Sequence, residues 1–343
     1  MRRLLTGAEK NFMQPETNCQ ADQQCFSIGR LTVPGRVIAA PMAGITDSPF
    51  RILARRHGAA LVWSEMLSAK ALSFKSSKTR SMMKITHEEH PVGMQIFGND
   101  ARTMGLAARL AADQGADIVD INAGCPVPKV KKTGAGCALM KDEKTCASIF
   151  RHIVRSVDIP VTLKIRTGMV PGDSRPLTIS AIAQEEGIAA VTVHARPATQ
   201  MHAGDADWAM VRRISYNTAI PVIANGGISN PVQAREVLEY TGCAAVMVGQ
   251  AALGDYGIFK RIDQYLRFGT HIPEPSVSER MRMFAEHVSM VCDYYGEDLG
   301  IKRFRKILPY YIADMPHAAS LRSMLLTCNS RKTIFSTLSI PVV

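Results

Sequence analysis

The chain has 343 residues, 46% of them apolar and 21% charged, values of a globular protein and not of a disordered one. Lys and Arg total 41 against 30 Asp and Glu, a formal +11, which leaves a polyanionic partner open but also suits many enzymes of small molecules. The eight cysteines form no Cys-x-x-Cys pair and no zinc pattern, and no apolar run approaches the ~20 residues of a membrane span. Reduced thiols in a cytoplasm are therefore expected, with no metal and no membrane.

Residues 1–29 lack periodicity and read as a loose N-terminal extension. From Pro34 a repeat begins. Pro precedes apolar runs at Pro34, Pro91, Pro160 and Pro221, and Gly opens others at Gly58, Gly115, Gly187 and Gly242. Each Pro is followed by its Gly after 24, 24, 27 and 21 residues, so eight strand-like runs alternate with helix-length gaps. Pro suits the loop before a strand and Gly the position after a helix. Asp47, Asp100, Asp142 and Asn230 stand where helix caps are needed, before Pro49 to His57, Arg102 to Gln114, a helix to Ser156 and one to Tyr240. Runs rich in Val, Ile and Ala are strands covered on both faces. Together these predict an α/β fold, a (β/α)8 TIM barrel over residues 30–269. An open dinucleotide-binding sheet is disfavoured, because the first turn lacks Gly-x-Gly-x-x-Gly. After residue 269 the alternation stops. Met281, Phe284, Val288, Val291 and Tyr295 have helical spacing, so residues 270–343 form a helical domain. Its patch of Lys302, Arg303, Arg305 and Lys306, with Tyr310 and Tyr311 beyond, suggests RNA contact.

A barrel of this kind works at its strand C-termini. Polar groups gather there: Gln95 on the third run, Asn122 and Cys125 on the fourth, Lys164 and Arg166 on the fifth, His194 and Arg196 on the sixth. Asn225-Gly226-Gly227 and Gly249-Gln250 end the last two and offer bare backbone N–H groups for a phosphate. Cations and a histidine around a phosphate-anchored ligand suit flavin mononucleotide (FMN), whose reduced ring carries negative charge. Cys125, between Gly124 and Pro126, can act as a general acid or base, with a nucleophilic role as the rival. Lys129, Lys131 and Lys132 follow it in a basic, Gly-punctuated loop.

Ala40-Pro-Met-Ala-Gly-Ile-Thr-Asp47, Ser64-Glu-Met66, Asp120-Ile-Asn-Ala-Gly-Cys-Pro126, Lys164-Ile-Arg166, His194-Ala-Arg196 and Asn225-Gly226 resemble the motifs of tRNA-dihydrouridine synthases, in particular the bacterial B-type branch. The resemblance runs from about Arg30 to beyond Tyr311. It implies an FMN barrel with a helical tRNA-binding domain. NADPH (or NADH) would reduce FMN, reduced FMN would give hydride to C6 of a tRNA uracil, and the cysteine matching Cys125 would protonate C5. Pro41, Met42, Ala43, Gln95, Lys164, Asn225, Gly226 and Gly249 would hold FMN. Asn122, Arg166, His194 and Arg196 would hold the flavin–uracil pair. Lys129, Lys132, Arg305 and Lys306 would meet the RNA, and the chain is expected to act as a monomer. Gln250 replaces the family's usual Arg, so weaker FMN retention is expected. Ala198, His202 and Gly227 also depart from the pattern. The competing expectations are an FMN oxidoreductase of a free pyrimidine and an RNA-binding relative with a decayed site.

Overall fold

A computed structural model describes residues 24–338. It opens with a hairpin, β1 (Phe26–Ile28) paired antiparallel with β2 (Leu31–Val33). The loose extension expected over residues 1–29 therefore ends too late. Gly29 takes φ +55 at the hairpin tip, and Ile28 and Val33 bury fully. The rest of that expectation, through residue 23, lies outside the described residues.

Eight parallel strands then close a barrel. In chain order they are β3 (Val37–Ala39), β4 (Val62–Trp63), then after the short β5 (Leu67–Ser68), β6 (Val92–Phe97), β7 (Ile118–Asn122), β8 (Val161–Arg166), β9 (Ala190–His194), β10 (Val222–Asn225) and β11 (Ala245–Val248). Sequential neighbours pair from β6 to β11, β11 pairs with β3, and β4 and β5 both pair with β6. Closure between β3 and β4 rests on two backbone bonds: Ala39 N–H donates to Leu61 O (3.0 Å) and Ala60 N–H to Val37 O (2.8 Å). Every residue of β7 and β9 is buried, as strands covered on both faces require.

The connecting helices start where their caps stand. The side chains of Asp47, Asp100, Asp142 and Asn230 accept from the amides of Phe50, Thr103, Thr145 and Gln233, each bond contributing about 1 kcal/mol. Gly242 ends the helix Pro231–Thr241 at φ +67, in the left-handed region that a Cβ disfavours.

After the last barrel helix, Ile258–Phe268, residues 269–276 carry no helix or strand. Five helices follow: Val277–Tyr295, Glu297–Phe304, Leu308–Tyr311, Ala318–Thr327 and Arg331–Thr337. In their core Phe284 meets Phe304 and Tyr311 edge to face, His287 meets Phe304 edge to face, Phe304 and Tyr311 stack, and Phe50 of the first barrel helix reaches His287 at 6.2 Å between ring centres. A buried ion pair supports that barrel helix. Arg51 Nε meets Glu89 Oε2 at 2.6 Å, while its two other nitrogens donate to the carbonyls of Thr46 and Lys84. Among the described residues, no helix is long and apolar enough to cross a membrane.

Candidate active site

A cavity of about 640 Å³ opens at the C-terminal ends of the strands. Fifteen of the expected site residues line it: Cys125; Pro41, Met42, Ala43, Gln95, Lys164, His194, Asn225, Gly226, Gly227, Gly249 and Gln250; and Asn122, Arg166 and Arg196. Strand geometry explains the gathering. Side chains two apart point the same way, so Asp120 and Asn122 on β7, and Thr162, Lys164 and Arg166 on β8, share the inward face.

A relay of buried hydrogen bonds positions Cys125. Asp120 accepts from Thr162 Oγ1 (2.6 Å) and from Gln95 Nε2 (2.7 Å). Gln95 Oε1 accepts from Asn122 Nδ2 (2.8 Å), and Asn122 Oδ1 accepts the backbone N–H groups of Gly124 (3.2 Å) and Cys125 (2.9 Å). The Cys125 carbonyl accepts from Cys137 N–H at 3.1 Å. The thiol is thus carried on a backbone fixed from both sides, and it stands half-buried in the cavity wall. Burial pushes the Asp120 carboxyl above its usual range. Cys137 is fully buried and its thiol is raised by desolvation, which suits a packing role.

A second hub is Asn225. Its Nδ2 donates to Met247 O (2.8 Å), which orients the amide so that Oδ1 accepts from both Lys164 Nζ (2.8 Å) and His194 Nδ1 (3.0 Å). The His194 proton therefore sits on Nδ1. Its Nε2 is a buried acceptor without a partner. Burial and then the Lys164 and Arg166 charges hold this imidazole far below its usual pKa, so it is neutral. Lys164 is pushed down by burial and then by Arg166. Gly226 lies at φ +111, and a Cβ there would stand 3.3 Å from His194 Cε1 and from Ala195 N.

Arg166 is committed in a way its letter could not show. Its Nε donates to Gly124 O (3.0 Å), and one Nη donates to the carbonyls of Met201 (2.6 Å), Arg196 and Pro197 (both 3.3 Å). It ties the cysteine loop to the loop after β9, where Met201 takes φ +53. Arg196 Nε donates to Gly204 O at 2.9 Å and braces the same loop.

The four expected RNA contacts lie outside the cavity. Lys129 and Lys132 are exposed on and just after the short helix Pro128–Lys131. Arg305 turns toward the last helices, donating to Cys328 O (3.1 Å) and Asn329 Oδ1 (2.9 Å). Lys306 donates to Ala43 O at the cavity rim. Glu65 completes this seam, accepting from Gly44 N–H and from Arg303 (3.2 Å).

Tyr310, from the helical part, also lines the cavity, a placement the sequence analysis did not make. A signal was present: Phe304, Ile307, Leu308 and Tyr311 form the buried stripe, which leaves Tyr310 outside it. Its backbone is pressed against Gly254, where a Cβ would come within 2.6 Å of the Tyr310 carbonyl.

The family model described as dihydrouridine synthase matches residues 37–341. The tRNA-dihydrouridine synthase B of Pseudomonas aeruginosa is 41% identical over 296 residues, covering 86% of this chain and 89% of that protein. The protein of the same name from Escherichia coli (strain K12) is 41% identical over 287 residues, 84% of this chain and 89% of its own. A solved complex of 2-naphthoyl-CoA reductase with 2-naphthoyl-CoA matches with a TM-score of 0.57 at 12% identity, over 70% of this chain and 51% of that one, a likeness of fold alone.

Proposed function

The chain belongs to the dihydrouridine synthase family, and from that premise we propose that it reduces specific uridines of tRNA to 5,6-dihydrouridine. The observation that carries the reading is Cys125, whose backbone is pinned by Asn122 at the wall of a cavity that also holds Lys164, neutral His194 and Arg196.

The cavity fits FMN as cofactor. Its volume of about 640 Å³ is that of a cofactor site. Gly226 and Gly227, at φ +111 and +77, give a side-chain-free floor beside Gly249 and Gln250 for a phosphate. The orphaned His194 Nε2 is an acceptor that a bound polar ring would satisfy, which removes a desolvation cost of about 1–3 kcal/mol. Pro41, Met42, Ala43 and Gln95 would border the ring, and Lys164 would supply positive charge. Gln250 offers a neutral donor at the phosphate end. Once bound and reduced by NADPH or NADH, FMN would supply the hydride taken up at uracil C6.

The remaining work falls to this chain's side chains. Cys125 holds a proton on sulfur and delivers it to C5 as the C5–C6 double bond is consumed, and solvent then reprotonates the thiolate. Asn122 keeps the cysteine in place, and Arg166 holds the cysteine loop against the loop after β9. Arg196, braced on Gly204 O with its guanidinium beside Gly227, keeps a positive charge in the cavity wall. A uracil in folded RNA must leave its stack to enter such a cavity, and Tyr310 at the rim offers it an aromatic face. The exposed Lys129 and Lys132 favour RNA over a free pyrimidine as substrate.

Nucleoside mass spectrometry of tRNA tests this reading, in a strain without its own dihydrouridine synthases that expresses this chain or Cys125→Ala. Dihydrouridine is expected from the intact chain, with the variant slower by about 10²–10⁴-fold, the usual worth of a positioned acid. Absence of dihydrouridine from folded intact protein would overturn the reading. Reduction of free uracil without reduction of tRNA would transfer it to a pyrimidine oxidoreductase.

A further inference from the structure

Between β5 and β6 the chain makes two short helices, Ala69–Ser73 and Ser77–Ser81, that the cavity does not use. From Met66 to Thr86 this connection carries Lys70, Lys75, Lys78, Arg80 and Lys84 and not one Asp or Glu. All five cations are exposed. None of the five has a carboxylate or side-chain hydrogen-bond partner among the described residues. Arg80 contrasts with Arg51, Arg56, Arg151, Arg175 and Arg261, each paired with a carboxylate.

Two further features set the connection apart. Phe74 is 75% exposed, the highest value among the exposed large hydrophobic side chains. Lys75 takes φ +57 just after the first helix, a left-handed position that Gly or Asn would fill without strain. The place of the connection is also fixed. It leaves the mouth at Ser68, whose hydroxyl caps the first helix, and runs down the outer wall to Lys84, whose carbonyl accepts from Arg51. On the far side of β6, the loop after β7 presents Lys129, Lys131 and Lys132, and Gly134 of that loop abuts Asn99 of the loop after β6.

We infer that the connection of residues 69–84 is a second RNA-contact surface, which grips tRNA phosphates away from the target uracil and stacks Phe74 on an unpaired base. The inference rests on the proposed tRNA reading. A run of cations without internal counter-charge raises a local positive field that a polyanion relieves, with release of its condensed counterions. A lone exposed aromatic among cations matches the stacking platforms of RNA-binding surfaces. A membrane surface fits less well, because the two helices have five residues each and present no apolar face beyond Phe74.

The test is tRNA binding by the full chain across roughly 50–200 mM salt. Wild type is compared with Lys75→Asn/Lys78→Ala/Arg80→Ala and with Phe74→Ala, and unchanged melting temperatures would certify folding. Asn is used at 75 because it tolerates the left-handed backbone. The triple variant should bind at least about ten-fold more weakly at low salt and lose about 2–3 from the slope of log K against log salt. Its kcat at saturating tRNA should not change, and the charge-keeping Lys75→Arg/Lys78→Arg/Arg80→Lys should restore binding. Unchanged affinity and slope in a triple variant that still makes dihydrouridine would overturn the inference. So would loss of binding to phosphatidylserine vesicles with tRNA binding intact. A wild-type chain that makes no dihydrouridine, with tRNA binding still lost in the triple variant, would sink the functional reading and leave this surface standing.

Discussion

The two ends of the barrel are built from the same strands and do opposite things. At the foot, the inward side chains are Ile38, Leu61, Trp63, Ile118, Ile223 and Ala245, each at most 1% exposed, with Ile28 and Val33 of the hairpin sealing them from below. At the mouth, the inward positions are Gln95, Asn122, Lys164, His194 and Asn225. β7 makes the change within one strand: Ile118, Asp120 and Asn122 follow one another at intervals of two, from apolar to buried acid to amide. The foot gains from removing hydrocarbon from water. The mouth places polar groups where only partners, such as Thr162 for Asp120 and Asn225 for Lys164, make burial tolerable. Stability and chemistry are therefore separable along the strand axis.

The largest expected effect breaks the foot. Trp63 lies over Gly93, where even a Cβ would collide with its ring. Trp63→Ala leaves a cavity the size of an indole and should cost about 3–5 kcal/mol, read as a lower midpoint in urea unfolding. The molecules that remain folded should hold as much flavin as wild type, since Trp63 does not line the upper cavity. Loss of flavin per folded molecule would show that the two ends are coupled.

Asn225→Ala is the converse change at the mouth. It strands the Lys164 ammonium, the His194 Nδ1–H and the Met247 carbonyl, which the amide now serves together. We expect a stability loss of about 1–3 kcal/mol with disproportionate loss of flavin, more than about ten-fold in occupancy on purified protein. The flavin absorbance of the purified variant checks it. Full retention would mean that the hub positions nothing that holds the cofactor.

The same contrast explains what could be read from the amino acids alone. The alternating Pro and Gly markers are local, and so are the caps at Asp47, Asp100, Asp142 and Asn230, so strands and helices were legible one at a time. The inward alternation of Lys164 and Arg166 was legible too. The partners of Arg166 were not, because they are main-chain carbonyls, which any residue supplies. Nor was the seam between barrel and helical part: Glu65 and Arg303 are 238 positions apart, and Lys306 and Ala43 are 263 apart. The hairpin escaped notice because its strands have three residues each, too few to show a period, although Gly29 marks its turn. Tyr310 and Tyr311 are neighbours in the chain, yet one lines the cavity and the other is buried with Phe284.

Two histidines repeat the contrast and supply the smallest effect. His194 and His287 are both buried, and each has an Nε2 without a partner. His194 opens on the cavity, where a ligand can serve it, whereas His287 is enclosed by Phe50, Tyr256, Phe304 and Tyr311, with only its Nδ1 bonded, to Tyr311 Oη at 2.9 Å. Burial lowers the His287 pKa from 6.5 to about 3. Below about 6.5 the unfolded chain takes up a proton that the folded one excludes, so this residue withdraws stability as pH falls toward 3, by about 1.4 kcal/mol per pH unit. Buried Asp47, raised to about 6, acts in the opposite sense by holding a proton that the unfolded chain has released. The wild-type curve alone therefore mixes the two. The difference between wild type and His287→Gln isolates the histidine. At neutral pH the variant should be the less stable, having lost ring packing. As pH falls below about 6 its deficit should close at about 1.4 kcal/mol per unit, measured by urea unfolding at successive pH values. Parallel curves would mean that the folded protein admits a proton at His287, and that the aromatic core of the helical part is less closed to water than the foot of the barrel.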